Sequence, residues 1–253
     1  MFINNFDPVA FYIFSFEIRW YSLAYIAGIL IGWILSKKIF ITEANIKDKF
    51  DDFITYIIIG IIIGGRLGYI LFYNLDYYSE NLIEIFKIWQ GGMSFHGALI
   101  GIILGTYFFS LKKNIKLFLL LDIIACVAPI GIFFGRIANF INGELIGKPT
   151  NMFMGVVFPQ IDKIARHPSQ LYEAFLEGLF LFLILIFIIL KKDYKLGTCS
   201  YMFLILYGCF RVFSEFFREP DIQVGYLFNF ISMGSILSIL MILAGASIYI
   251  KRR

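Results

Sequence analysis

The chain has 253 residues, of which 60% are hydrophobic, 19% aromatic and only 16% charged. Soluble domains are about 45–50% apolar and about 25% charged, so this composition excludes an ordinary soluble fold, a disordered chain and a collagen-like repeat, and points to an integral membrane protein. The net charge of +4 is too small to suggest a nucleic-acid partner.

A transmembrane helix needs about 20 mostly apolar residues. Seven stretches qualify, at about 18–36, 53–73, 94–111, 117–135, 171–190, 197–217 and 227–250. The expected fold is therefore an all-α polytopic membrane protein of seven helices. A single transmembrane domain is expected over 1–253, with 136–170 as a small head segment on the membrane surface. No cleavable signal is expected, because the first basic residue is Arg19.

Arg19, Trp20 and Tyr21 open the first stretch, and an aromatic belt accounts for Trp20 and Tyr21. The second stretch carries Arg66, about 20 Å along the helix at 1.5 Å rise per residue. The third begins in Gly91-Gly92-Met93-Ser94-Phe95-His96-Gly97-Ala98, where a neutral His96 imidazole could serve as general base or hydrogen-bond donor. The fourth ends on Arg136. The run from Gly135 to Thr150 that follows is dense in hydrogen-bonding groups. Asn139 and Asn142 share a face if the helix continues, and Gly143 and Gly147 permit turns or close approach. The fifth starts at His167-Pro168-Ser169-Gln170-Leu171-Tyr172-Glu173, with Pro168 suited to a first helical turn. His167 is read as a cap and Glu173 as a buried partner for an arginine, with Glu177 one turn on. The sixth holds Arg211, with Glu215 at i+4 as its expected ion-pair partner.

Sidedness follows from the basic residues. Gaps on one side hold thirteen, among them Lys37, Lys38, Lys112, Lys113, Lys191, Lys195 and Lys251. Gaps on the other hold seven, among them Arg19, Lys87, Arg136 and Arg166. The lysine-rich side is read as cytoplasmic, with the N-terminus outside and the C-terminus inside. Arg66, Arg136 and Arg211 then lie in helices running outward. Ionisable residues inside a membrane cost about 2.5–3.5 kcal/mol each on insertion scales, so they are functional candidates. Guanidinium is a planar, permanently charged fork suited to phosphate, and a phospholipid headgroup is the simplest anion at that depth. Cys126, Cys199 and Cys209 lie in apolar stretches and are read as buried small hydrophobes. Neither the cysteines nor the two histidines have metal-ligand spacing, and no P-loop or Gly-x-Ser-x-Gly is present.

The run Gly135-Arg136-Ile137-Ala138-Asn139-Phe140-Ile141-Asn142-Gly143-Glu144-Leu145-Ile146-Gly147 resembles the signature of the bacterial prolipoprotein diacylglyceryl transferases. Trp20-Tyr21, Gly65-Arg66-Leu67-Gly68-Tyr69, Gly92 to Gly97, Arg166 to Glu173 and Arg211 to Asp221 extend the likeness over nearly the whole chain. Two small departures are Ala98 and Ala138, where Gly is common.

The resemblance implies a reaction in which the diacylglyceryl group of phosphatidylglycerol passes to the lipobox cysteine of a prolipoprotein signal peptide. A thioether forms and glycerol phosphate leaves, in the bacterial inner membrane, with the active site facing the outer (periplasmic) leaflet. It implies that Arg136 binds phosphatidylglycerol, that Asn139, Glu144 and Gly147 are important signature positions, and that Tyr21, His96, Arg211 and Glu215 are implicated in activity. His96, Arg136, Arg211 and Glu144 are the catalytic candidates. Arg66, Tyr21, Asn139, Asn142, Gly147 and Glu215 join Arg136 and Arg211 around the lipid. No metal or organic cofactor is required. Two rival readings remain open: a transporter or receptor for an anionic solute, and a phospholipid-synthesis transferase with a cytoplasm-facing site.

Overall fold

The computed structural model describes the chain except residues 1, 42, 88–90, 192, 220–225, 228–230 and 253. Helices occupy all seven apolar stretches. They are α1 (Trp20–Leu35, extended by a π turn, Ser36–Phe40), α2 (Ala44–Tyr73), α4 (Phe95–Lys113), α5 (Leu117–Asn142), the continuous run α6 (Ser169–Glu173), π segment (Ala174–Phe180) and α7 (Leu181–Ile189), then α8 (Thr198–Glu215) and α9 (Met233–Arg252). A short α3 (Leu75–Glu80) and a 3-10 turn (Leu82–Phe86) follow α2. Among the described residues, five helices are long and apolar enough to cross a membrane: Trp20–Phe40, Ile46–Leu71, Leu117–Asn142, Ser169–Ile189 and Met233–Arg252. The chain is thus a helical, multi-pass membrane protein.

The boundaries shift from hydropathy where local chemistry intervenes. α2 begins at Ala44, well before the apolar run, because a solvated amphipathic turn can precede a span. α5 continues to Asn142 before Gly143 turns it off at φ +66°. α9 starts only at Met233, because 226–227 and 231–232 pair as strands β6 and β7. Other short strands accompany the helices. β2 (Val9–Ile13) and β3 (Phe16–Arg19) form a hairpin. β1 (Phe2–Ile3) pairs in parallel with β4 (Val156–Val157), which pairs antiparallel with β5 (Ala165–Arg166). Phe140, Val156 and Phe158 form the core under this small sheet, flanked by Ile146 and Leu171. Buried Asn4 ties it to α5 through Nδ2 to the Phe140 carbonyl (2.5 Å).

Two compact units divide the chain: Met1–Phe40 with Asp122–Arg253, and Ile41–Leu121. In the second, α2 and α4 run antiparallel along a seam of small residues. Gly60 faces Gly101, and Gly64 and Gly68 face Gly97, with backbone meeting backbone. Glycine spaced every four residues permits such contact, a packing mode suited to lipid, where no hydrophobic drive brings helices together. In the first unit, the buried carboxylate of Asp122 accepts hydrogen bonds from Gly197 N (2.5 Å), Ser200 N (2.8 Å) and Ser200 Oγ (2.6 Å), capping the start of α8. Cys126 and Cys199 are buried as expected, whereas Cys209 is exposed on α8.

Candidate active site

The ends of three helices in the first unit carry a cluster of fixed charges. Arg136 comes from the last turns of α5, Glu173 and Glu177 from successive turns of the α6 run, and Arg211 and Glu215 from successive turns of α8. Both Glu173 and Glu177 are wholly buried. Arg136 Nη1 lies 2.9 Å from Glu173 Oε2, and its Nη2 donates to Glu177 Oε2 at 3.2 Å. Arg211 pairs with Glu173 and with Glu215, the latter as the i+4 spacing predicts. Arg218 Nη1 reaches Glu173 Oε1 at 3.4 Å.

Glu173 therefore gathers three guanidiniums, and it is the buried arginine partner that the sequence indicates. Sequence reasoning missed two members. Arg218 read as a loop charge, yet the turn after α8 brings it back so that its Nη1 reaches Glu173. Glu177 was visible only as an unassigned acid at i+4 from Glu173. Among the described residues, the three arginines and three glutamates of the cluster balance, which is how buried charges are tolerated.

The segment after α5 is fastened beside this cluster. Asn139 and Asn142 do share a face, and both Nδ2 groups converge on Glu144, at 3.1 and 3.2 Å. The Glu144 backbone carbonyl accepts from Gln170 Nε2 (2.6 Å), and the Leu145 carbonyl from Ser169 Oγ (3.0 Å). Glu144 itself is exposed, so its carboxylate is oriented by amides while open to solvent or substrate. Gly147 bridges to Arg218. A Cβ there would sit 2.7 Å from His167 Cβ and 2.8 Å from the Phe217 carbonyl oxygen, so only glycine fits between these two segments. Arg166 braces the same corner. Its fork takes Asp162 Oδ2 at 2.6 Å, the Gly147 carbonyl at 3.1 Å and Glu219 at 3.3 Å. That hydrogen bonding holds the Asp162 carboxyl below the usual carboxylate range.

His167 is not the side-chain cap expected for α6. Its carbonyl accepts from Ser169 N (2.8 Å), while its ring Nδ1 lies 3.3 Å from the Tyr172 hydroxyl. Burial lowers its pKa below the ordinary histidine value. Tyr21 meets Tyr25 at 5.1 Å between ring centroids.

Arg66 and His96 belong to the second unit. The Arg66 guanidinium, only 4% exposed as a residue, directs its fork at backbone carbonyls: Nε to Ile85 (2.9 Å), Nη1 to Gly91 (2.5 Å) and Gly92 (3.3 Å), Nη2 to Glu84 (2.6 Å) and Lys87 (3.3 Å). Backbone acceptors leave no mark in a sequence, so this engagement was not legible there. Gly65 O accepts from Ser94 N (2.8 Å), and Ser94 Oγ caps Gly97 N at 3.2 Å. Gly65 and Arg66 thus fasten the stretch that leads into α4. His96 lies in the first turn of that helix, and its side chain is outside the described residues.

The fold defines a polytopic membrane protein that carries a buried arginine–glutamate cluster. The family model for prolipoprotein diacylglyceryl transferase matches residues 8–251. A relative from Rickettsia typhi (strain ATCC VR-144 / Wilmington) is 53% identical, over 97% of this chain and 96% of its own. One from Rickettsia bellii (strain OSU 85-389) is 51% identical, over 98% and 95%. Each is named phosphatidylglycerol--prolipoprotein diacylglyceryl transferase. The chain belongs to the prolipoprotein diacylglyceryl transferase family.

Proposed function

We propose that this chain transfers the diacylglyceryl group of phosphatidylglycerol to the lipobox cysteine thiol of a prolipoprotein signal peptide, as the first step of lipoprotein maturation. Alongside family membership, the observation that carries this reading is the meeting of Arg136, Arg211 and Arg218 on Glu173, beside the Asn139-Glu144-Gly147 segment. Three forks at one place suit a phosphodiester, whose oxygens each accept planar, charged donors.

The sulfur attacks the glyceryl carbon that bears the phosphate oxygen. A C–S bond forms, the C–O bond breaks, and the electron pair leaves on glycerol phosphate. Negative charge accumulates on the departing phosphate, so guanidiniums fixed beforehand stabilise the transition state more than the diester. The thiol must lose its proton to become an effective nucleophile. We assign that base role to His96, with the proton ending on the phosphate monoester. Glu144, oriented by Asn139 and Asn142, and Tyr21 with Glu215 complete the lipid-facing set. Arg66 acts on the path into α4 rather than on the headgroup, because its fork is engaged by carbonyls.

The same reading holds all seven helices as spans in the bacterial inner membrane, with the N-terminus and the head outside and the site facing the outer leaflet. The deciding assay combines purified protein, phosphatidylglycerol and a synthetic lipobox peptide, read by mass spectrometry. A diacylglyceryl adduct on cysteine, absent with a Cys→Ser peptide, is expected. Phosphatidylglycerol binding with no covalent product would instead favour a lipid or anion carrier.

A further inference from the structure

Glu177 differs from the other acids of the cluster in how it is held. Glu173 faces Arg136 with one oxygen and Arg211 and Arg218 with the other. Glu215 pairs with Arg211. Glu177 has one close partner, Arg136 Nη2 at 3.2 Å. Its second oxygen lies 3.8 Å from Arg211 Nη1, beyond hydrogen-bond reach, and makes no hydrogen bond among the described residues. The side chain is wholly buried. The charged and titratable groups around it are Arg136 from α5, Glu173 from its own helix, and Arg211 and the Tyr207 phenol from α8.

Among the described residues, the three arginines and three glutamates of the cluster sum to zero charge. A phosphodiester brings one more negative charge, and it can take the Arg136 fork through two oxygens only by replacing a carboxylate there. Glu173, if replaced, keeps Arg211 and Arg218. Glu177, if replaced, keeps no partner within hydrogen-bond reach. A carboxylate buried without a partner is held in its neutral form.

We propose that Glu177 takes up a proton as the anionic headgroup displaces it from Arg136, and gives the proton back when the phosphate product leaves. The inference rests on the reading of Arg136 as the headgroup arginine. Only an O–H bond is made and broken, with solvent as source and sink. Glu177 is thus a charge-compensating, positioning residue, and lipid binding is coupled to proton uptake.

The test is calorimetric titration of the full-length protein in detergent with dioctanoyl phosphatidylglycerol, repeated in buffers of unlike ionisation enthalpy. Uptake of about one proton per lipid is expected, with affinity falling about tenfold per pH unit while Glu177 is ionised in the free protein. E177Q should bind with uptake near zero and a flat pH profile, and E177D should restore the uptake. Uptake near zero in the unaltered protein, or uptake undiminished in E177Q, overturns the proposal and leaves the Arg136 reading intact. Affinity unchanged by Arg136→Ala overturns that reading, and the proposal with it.

Discussion

At the scale of single residues, geometry separates charge from shape. Arg136 presents two nitrogens to two different carboxylates, which a lysine ammonium cannot reproduce. Arg136→Lys keeps a cation opposite Glu173 and Glu177, so the thermal midpoint in detergent should change little. Thioether formation should fall by about 10²-fold or more, the scale seen when one oriented transition-state donor is lost. Arg136→Ala should also destabilise the fold, by about 3–5 kcal/mol, because buried Glu177 loses its one close partner and Glu173 one of its three. Gly147→Ala tests shape alone. The added methyl meets the backbone oxygens of His167 and Phe217, and overpacking of this kind costs about 1–3 kcal/mol. Activity should drop with it, since Gly147 bridges to the backbone of Arg218. His167 supplies a pH signature. Its folded pKa lies below its unfolded value of about 6.5, so its contribution is fully present above that value and is lost as pH falls through the folded pKa. A His167→Gln variant should flatten the decline of the thermal midpoint across that acid window.

At the scale of elements, the helices were legible, but their partners were not. Hydropathy is a local property read over about 20 residues, so each of the seven stretches identified itself. The glycines at 60, 64, 68, 97, 101 and 105 also stood in the sequence at four-residue spacing. That spacing marks a face without saying which other helix meets it. Two-residue strands such as β1 and β4 are too short to show any period, so the sheet that joins the N-terminus to residues 156–157 left no pattern. Arg218 escaped because it lies three residues beyond α8, where a basic residue reads as a loop charge, whereas Arg136 and Arg211 stood out against apolar neighbours. The α2–α4 seam yields a graded prediction. A Cβ at Gly101 would overlap the Gly60 carbonyl, whereas one at Gly105 would sit 2.9 Å from the Tyr56 carbonyl oxygen. Gly101→Ala should therefore lower the thermal midpoint distinctly more than Gly105→Ala. Equal effects would mean that the seam does not hold the two helices together.

At the scale of the whole molecule, charge distribution and chain direction make the same division within each unit. In the second unit, Lys113 pairs with Asp52 at 2.7 Å at one end of the α2–α4 pair, while Arg66 and the stretch it fastens lie at the other. In the first unit, the starts of α5 and α8 meet through Asp122, and Arg252 near the end of α9 donates to the Leu196 carbonyl at that same end. The arginine–glutamate cluster and the small sheet occupy the opposite end. The lysine-rich gaps thus fall at the ends away from Arg66 and away from the cluster. Lysine and arginine are retained on the cytoplasmic side during insertion, so thirteen basic residues against seven support the proposed orientation with the head outside. Single cysteines at Lys163, Lys113 and Lys195 test this, in a background where Cys126, Cys199 and Cys209 are replaced. With a membrane-impermeant maleimide on intact spheroplasts, Lys163→Cys should label at once. Lys113→Cys and Lys195→Cys should label only after lysis. The reverse pattern would place the cluster in the inner leaflet, where an exported lipobox cysteine does not emerge, and the outward-facing transfer reading would fall with it.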